Sequence, residues 1–198
     1  MIRASERNKP DVAEKRRKWK ETKNNLDPQK LVFIDETATK TNMTRKYGWW
    51  LKRERLIAHV PQSHWITTTT IYALRCDRVI ASYVVDGAMN REKFLEYIRI
   101  VLGPALEPGD KVVCDNLSVH KGDDVKKALE AFEATREFLP PYSPDENPIE
   151  NSFSKLKSII SKREIRTIPE LREFLRNAAE LFTPSECRNY FKNAGYCS

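Results

Sequence analysis

Leu139-Pro140-Pro141-Tyr142-Ser143-Pro144-Asp145-Glu146-Asn147-Pro148-Ile149-Glu150-Asn151 is the stretch on which the fold turns. Three prolines between 140 and 144 fix φ and remove N–H donors, so this piece is a stiff loop rather than a helix or a central strand. Beyond it, Ile149, Phe153, Leu156, Ile159 and Ile160 recur at helical spacing and predict a helix over 147–162. Asn147 is placed to cap that helix and Pro148 suits its first position, which aims Glu150 from the first turn. Upstream, 136–139 reads as a short strand. A strand thus feeds a rigid loop, and the loop presents a carboxylate at the start of a helix.

Working outward, two apolar runs end in acid: Leu31-Val32-Phe33-Ile34-Asp35 and Lys111-Val112-Val113-Cys114-Asp115. Each reads as a buried strand with a polar tip. Further strands are predicted over 56–60, 65–74 and 79–85, with Asp86-Gly87 as a turn. Helices are predicted over 11–25, with Trp19 as the one large apolar anchor, over 90–102 behind Asn90, over 123–132, from Thr167, and after Thr183-Pro184. Strands first, then alternating elements, then helices, describe an α/β chain with a mixed sheet flanked by helices. If the strands of Asp35 and Asp115 are parallel neighbours, both carboxylates face one crevice, where Glu150 can join them. Three such groups repel unless a cation sits among them. Oxygen ligands of this kind suit Mg²⁺, with Mn²⁺ as a substitute, and two ions about 3.5–4 Å apart could clamp a phosphodiester. The alternative is that some of the 28 acids end strands by chance.

Composition limits the classes. The 198 residues suffice for one ordinary core without staples, and 35 Lys and Arg against 28 Asp and Glu leave a net charge of +7. The charge is uneven: net +5 over 1–30, −4 over 111–154 and +4 over 155–198. Basic ends around an acidic centre suit a polyanion bound beside a metal site, and equally suit solvated basic helices. No dinucleotide, P-loop, nucleophile-elbow or HExxH signature occurs. No apolar run is long enough to cross a bilayer, and no signal peptide is evident, so a cytoplasmic protein with no membrane partner is expected. Cys76, Cys114, Cys187 and Cys197 show no zinc spacing and read as reduced thiols.

Phe33-Ile34-Asp35-Glu36-Thr37, the run Val113 to His120, and Leu139 to Asn151 together resemble the three catalytic blocks of mariner-type DDE transposases, most closely the bacterial insertion sequence 630 family. The 34 residues between Asp115 and Glu150 are the spacing of that branch, and Trp65 to Arg75 and Asp86 to Asn90 also resemble it. The likeness runs from about Leu31 to Leu175. It implies a ribonuclease H-like fold with a mixed five-stranded sheet, and Asp35, Asp115 and Glu150 as the metal-binding catalytic set, holding two Mg²⁺ ions. It implies hydrolytic cutting at element ends and attack of the freed 3′-hydroxyl on a TA target. The partner is then double-stranded DNA in a bacterial, nucleoid-associated setting; a homodimer is admitted but not required. Glu146 departs from the pattern, which usually has an apolar residue there; its charge is expected to face solvent or a metal.

The expected organisation is a basic helical extension over 1–29, the catalytic domain over 30–182 and a helical tail over 183–198. Family members normally carry helix-turn-helix modules first, and the 34 residues before Asp35 are too few for one. A catalytically inactive DNA-binding remnant is therefore the alternative to an active enzyme, and a nuclease on RNA–DNA hybrids a third reading. Glu36 should point to the sheet face opposite Asp35. Asn116 and His120 resemble the second block; His120 either touches a phosphate or bound water or is a packed loop histidine. Asn147 is positional, and Tyr142 is expected to pack within its loop. Lys15 to Lys18 and Lys155, Lys157, Lys162 and Arg163 are phosphate contacts or solvated faces. Trp49 and Trp50 are expected in the core, with base stacking the alternative if exposed.

Overall fold

The computed structural model describes residues 5–45, 47–57, 59–61 and 65–197. Five strands, β1 (Leu31–Lys40), β2 (Thr67–Leu74), β3 (Val79–Asp86), β4 (Lys111–Cys114) and β5 (Thr135–Phe138), form one sheet in the order β3-β2-β1-β4-β5. β1, β2 and β3 pair antiparallel, whereas β1–β4 and β4–β5 pair parallel, giving the mixed sheet expected.

The hydrophobic period of two assigns each face its own cover. Leu31, Phe33 and Val113 face one cluster, built with α1 (Pro10–Lys23), α4 (Ile149–Arg163), α5 (Ile168–Arg176) and α6 (Pro184–Asn193). Val32, Ile34, Val112 and Cys114 face the other, built with α2 (Arg91–Glu96) and α3 (Asp123–Glu130). Asn90 caps α2 by accepting from the Lys93 N–H, and the helix widens into a π-turn over Tyr97–Leu102. Phe33 packs at 5.3 Å from Phe191 and 5.0 Å from Tyr196, so the last helix shares the core of the first strand. All four cysteines are unpaired thiols.

α6 starts with a full capping box: the Glu186 N–H donates to Thr183 Oγ1 at 3.3 Å and the Thr183 N–H to Glu186 Oε2 at 2.9 Å. Thr183→Ala removes one half of it and is expected to cost about 1 kcal/mol, read as a Tm lower by about 2–4 °C. No change in Tm would mean that α6 is held by packing alone.

Two expectations fail. Residues 56–60 form no strand among those described, although their apolar content suggested one; the connection from 41 to 66 leaves the sheet, with Leu56, Ile57 and Val60 exposed and Ala58 outside the described residues. Trp49 is fully exposed and Trp50 58% exposed, because no element lies over this connection. Lys46, beside them in sequence, also lies outside the described residues.

Candidate active site at the fork of two strands

β1 does not end at Asp35. It continues to Lys40, because antiparallel β2 supplies partners from Phe33↔Leu74 to Lys40↔Thr67. What ends near Asp35 is the parallel pairing with β4, whose last matched pair is Phe33↔Val113. β4 then peels away, and Asp115 follows it into the loop. Asp35 and Asp115 thus stand at the fork where the two strands part, the strand-end crevice expected of an open sheet. A buried ion pair fixes the far end: Arg75 donates three hydrogen bonds to Asp110 at 2.7–3.0 Å, tying the end of β2 to the start of β4.

Asp35, Asp115 and Glu150 line one cavity of about 470 Å³, together with Asn116, Asn147 and the loop from Leu139 to Pro144. No Lys or Arg lines it among the described residues. Asp35 accepts from the Glu36 N–H at 2.7 Å and from Asn147 Nδ2 at 3.0 Å. Burial, with Glu36, Glu150 and Asp115 adding like charge, pushes its carboxyl up to about 7. Asp115 Oδ1 accepts from the Leu117 N–H at 3.0 Å and from His120 Nδ1 at 2.7 Å. Burial works to raise Asp115, but those bonds, His120 first, outweigh it and hold the carboxyl below its usual range.

His120 is the residue whose role the sequence left open. Its ring is buried, 4.4 Å from the Phe94 ring between centroids, and joins two carboxylates: Nδ1 to Asp115, and Nε2 to Glu36 Oε1 at 3.2 Å. Burial opposes its charge, but the bonds to Asp115 and Glu36 win and lift it to about 9. Glu36 shares the sheet-face alternation of Val32 and Ile34, opposite Asp35, yet reaches the site through this imidazolium. That link escaped the sequence, because 84 residues separate its two ends. Arg136 of β5 holds the loop by donating to the His120 and Gly122 carbonyls at 2.7 and 2.8 Å.

Asn147 does not cap α4: no side-chain cap is present, and its amide goes to Asp35 instead. Its Oδ1 is buried with no hydrogen-bond partner. Asn116 donates to the Leu139 carbonyl, tying the Asp115 loop to the proline loop. Tyr142 is 50% exposed rather than packed away, with φ at +53°, a left-handed conformation costly for a tyrosine.

The proline loop is clamped from behind. Val12, Arg16 and Trp19 form the buried face of α1. Arg16 donates to Ser143 Oγ, to the Tyr142 carbonyl at 3.3 Å and to Asp145 at 2.8 Å; Arg7 adds a two-pronged bond to Asp145 at 3.1 and 2.7 Å. Glu146 does not face solvent. It is buried and paired with Lys23 at 2.5 Å, while the Tyr196 hydroxyl donates to its carbonyl at 2.7 Å. Of the basic run over 15–18, Arg16 is therefore internal, and Arg17 and Lys18 are engaged with Glu14. Lys155 is bound to Glu186 and the Leu181 carbonyl, both at 2.6 Å; Lys157, half-buried, lines a separate groove along α4, and Arg163 stacks over Phe174 at 5.2 Å.

The donor set fits a hard cation. The oxygens are carboxylates, no cationic side chain lines the cavity among the described residues, and burial and repulsion push the Asp35 carboxyl up to about 7. Among the described residues no three acidic, histidine or cysteine side chains close on a single point. Mg²⁺ is ordinarily held by one or two carboxylates with water and substrate phosphate, so an all-protein cage is not needed.

Comparison with known proteins follows the same lines. Residues 30–172 match the family model described as DDE superfamily endonuclease. No curated protein matches the sequence. Among solved structures, the Mos1 transposase paired-end complex with the left transposon end superposes with a TM-score of 0.80 at 12% identity, over 98% of this chain and 62% of that one. The Mos1 mariner paired-end complex with Mn gives 0.81 at 12% identity over the same shares. The catalytic domain of Mos1 mariner transposase gives 0.70 at 11%, over 99% of this chain and 94% of that one. At such identities the likeness is one of fold, which is ribonuclease H-like, and the chain spans under two thirds of the Mos1 chain in the paired-end complexes.

Proposed function

This chain belongs to the DDE superfamily endonucleases, and we propose from that premise that Asp35, Asp115 and Glu150 are its catalytic carboxylates in metal-dependent cleavage and joining of DNA strands. One observation carries this reading: the three carboxylates line a single cavity in which burial and mutual repulsion keep Asp35 near pKa 7. The chemistry that Mg²⁺ or Mn²⁺ supplies when bound there is charge stabilisation at the phosphodiester and activation of water. Asn147 orients Asp35, and His120 bridges Asp115 and Glu36, offsetting part of their charge while fixing one oxygen of Asp115. Asp115 Oδ2 has no partner among the described residues and remains available. The proline loop walls the cavity and carries α4, and hence Glu150, into it.

The finer reading is a transposase of the insertion sequence 630 branch, acting on double-stranded DNA at element ends and at a TA target, with a bacterial, nucleoid-associated location. The quoted motif blocks and the fold shared with Mos1, itself seen with transposon-end DNA, support it. Asp35, Asp115 and Glu150 are proposed to serve two ions jointly. Supercoiled plasmid and a labelled RNA–DNA hybrid, each with Mg²⁺, Mn²⁺ or EDTA, test this. Metal-dependent nicking of plasmid with the hybrid left intact is expected. Hybrid cleavage alone would overturn the assignment, and DNA binding without nicking would favour the inactive remnant.

A further inference from the structure

α4 does not end its work with Glu150. Helical geometry places Glu150, Ser154, Lys157 and Ser161 on one face, at steps of four, three and four residues. This face runs roughly 16 Å along the axis at 1.5 Å per residue. From Ser154 onward it forms one wall of a groove of about 430 Å³, whose opposite wall is Arg45 and Tyr47 of the β1–β2 connection; Glu150 lies one turn before it, in the carboxylate cavity. Lys162 closes its far end. The outer wall is anchored: Arg166 donates to the Thr41 and Met43 carbonyls at 3.3 and 2.7 Å.

The charge in this groove differs in kind from the other basic clusters. Arg16 is buried against Asp145, Arg17 is bound to Glu14 and Glu21, and Lys155 to Glu186. Among the described residues Arg45, Lys157 and Lys162 take part in no ion pair, and no acidic side chain lines the groove. Three uncompensated cations with serine hydroxyls and one exposed tyrosine, on a strip that starts at a proposed catalytic carboxylate, match a sugar–phosphate backbone. A single strand advances about 3.4 Å per nucleotide, so the strip is long enough to follow several phosphates.

We propose that this groove binds the phosphate backbone of the DNA strand being cut, leading it along α4 to Glu150. The inference rests on the DNA-cleaving reading above and adds the path by which the strand enters. Lys157 and Lys162 contact phosphates without reading bases, so affinity through them is independent of sequence. Arg45 closes over the same strand from the opposite wall.

The test is binding of a fluorescein-labelled duplex in EDTA, followed by anisotropy over a salt series, for the parent, Lys157→Ala/Lys162→Ala and Lys157→Arg/Lys162→Arg. Each phosphate contact contributes about 0.9 to the log–log salt slope, so the alanine pair is expected to lower it by about 2 and affinity by roughly tenfold at low salt. The arginine pair should restore both. Lys126→Ala/Lys127→Ala on α3, away from the groove, should leave both unchanged. An alanine-pair slope equal to the parent's overturns the groove, as does equal loss in the α3 pair, or tighter binding of an RNA hairpin than of the duplex. Plasmid nicking is scored separately: slope loss in a parent that never nicks upholds the groove and overturns the catalytic reading. Nicking with an unchanged slope does the reverse.

Discussion

Asp35→Asn is expected to abolish Mn²⁺-dependent nicking, by about three orders of magnitude or more, while raising the Tm of the metal-free protein at pH 8. The loss follows from removing one negative oxygen donor, since charge stabilisation at a phosphodiester is worth several kcal/mol of barrier. The gain follows from linkage. Asp35 moves from an ordinary 3.8 to about 7 in the fold, so the fold favours its protonated form. That contribution is fully present below about pH 3.8 and is lost as pH rises to about 7. Above pH 7 the parent carries a buried, unpaired charge that asparagine lacks. Asn147, whose Oδ1 has no partner, can turn its amide to receive the new N–H. Thermal melts in EDTA at pH 4 and pH 8 should show the variant equal to the parent at the first and several degrees higher at the second. Added Mn²⁺ should stabilise the parent alone. Asp115→Asn and Glu150→Gln should also abolish nicking, but Glu150 is exposed and its variant should melt like the parent. A variant of any of the three that nicks normally removes that residue from the catalytic set.

Arg16→Ala should be the most destabilising change among the cations of α1, at about 1–3 kcal/mol, or a Tm lower by about 2–12 °C. It removes one of the two arginines that hold Asp145, leaving Arg7, and leaves Glu146 to Lys23 alone, while Ser143 Oγ and the Tyr142 carbonyl lose their donor. Arg17→Ala, one residue on and 60% exposed, should change stability by no more than about 0.5 kcal/mol. Arg16→Lys should recover only part, because one ammonium cannot span Ser143, the Tyr142 carbonyl and Asp145 together. Burial works to raise Asp145, but the bonds from Arg16 and Arg7 outweigh it and hold the carboxyl below its usual value. That share of stability is present above pH 3.8 and is lost as pH falls through the lowered value, so parent and Arg16→Ala melts should converge in acid. Equal losses in the Arg16 and Arg17 variants would show α1 to be merely a charged surface helix.

The sheet and the three carboxylates could be read from the chain because their signals are local. Alternation marks the strands, prolines mark the loop, and in β4 the acid after an apolar run marks a strand tip. What could not be read depends on contacts between distant segments. β1 runs on past Asp35 because β2 is there to pair with it, which nothing in 31–35 announces. Leu56 to Val60 has strand composition but no neighbouring strand. Arg16 looked like one of four surface cations; the clue was its place between Val12 and Trp19, on the face that should have been wholly apolar. A charge on a buried stripe needs a buried counter-charge; Asp145 had no assigned role, and Glu146 had been expected to face solvent or a metal.

The hydrogen bond from Trp19 to Tyr196 spans 177 residues, and the one from Lys23 to the Ala194 carbonyl spans 171. At a synthesis rate of about 5–20 residues per second, α1 waits roughly 10–35 s for its partners to be made. Closing so long a loop also carries the largest entropy cost in the chain, so docking of α1 comes late in folding. The helix that braces the proline loop therefore gains its last contacts only once residues 194–196 have been made. A growing chain can hold β1, β4 and both aspartates in place and still lack the brace that sets Glu150.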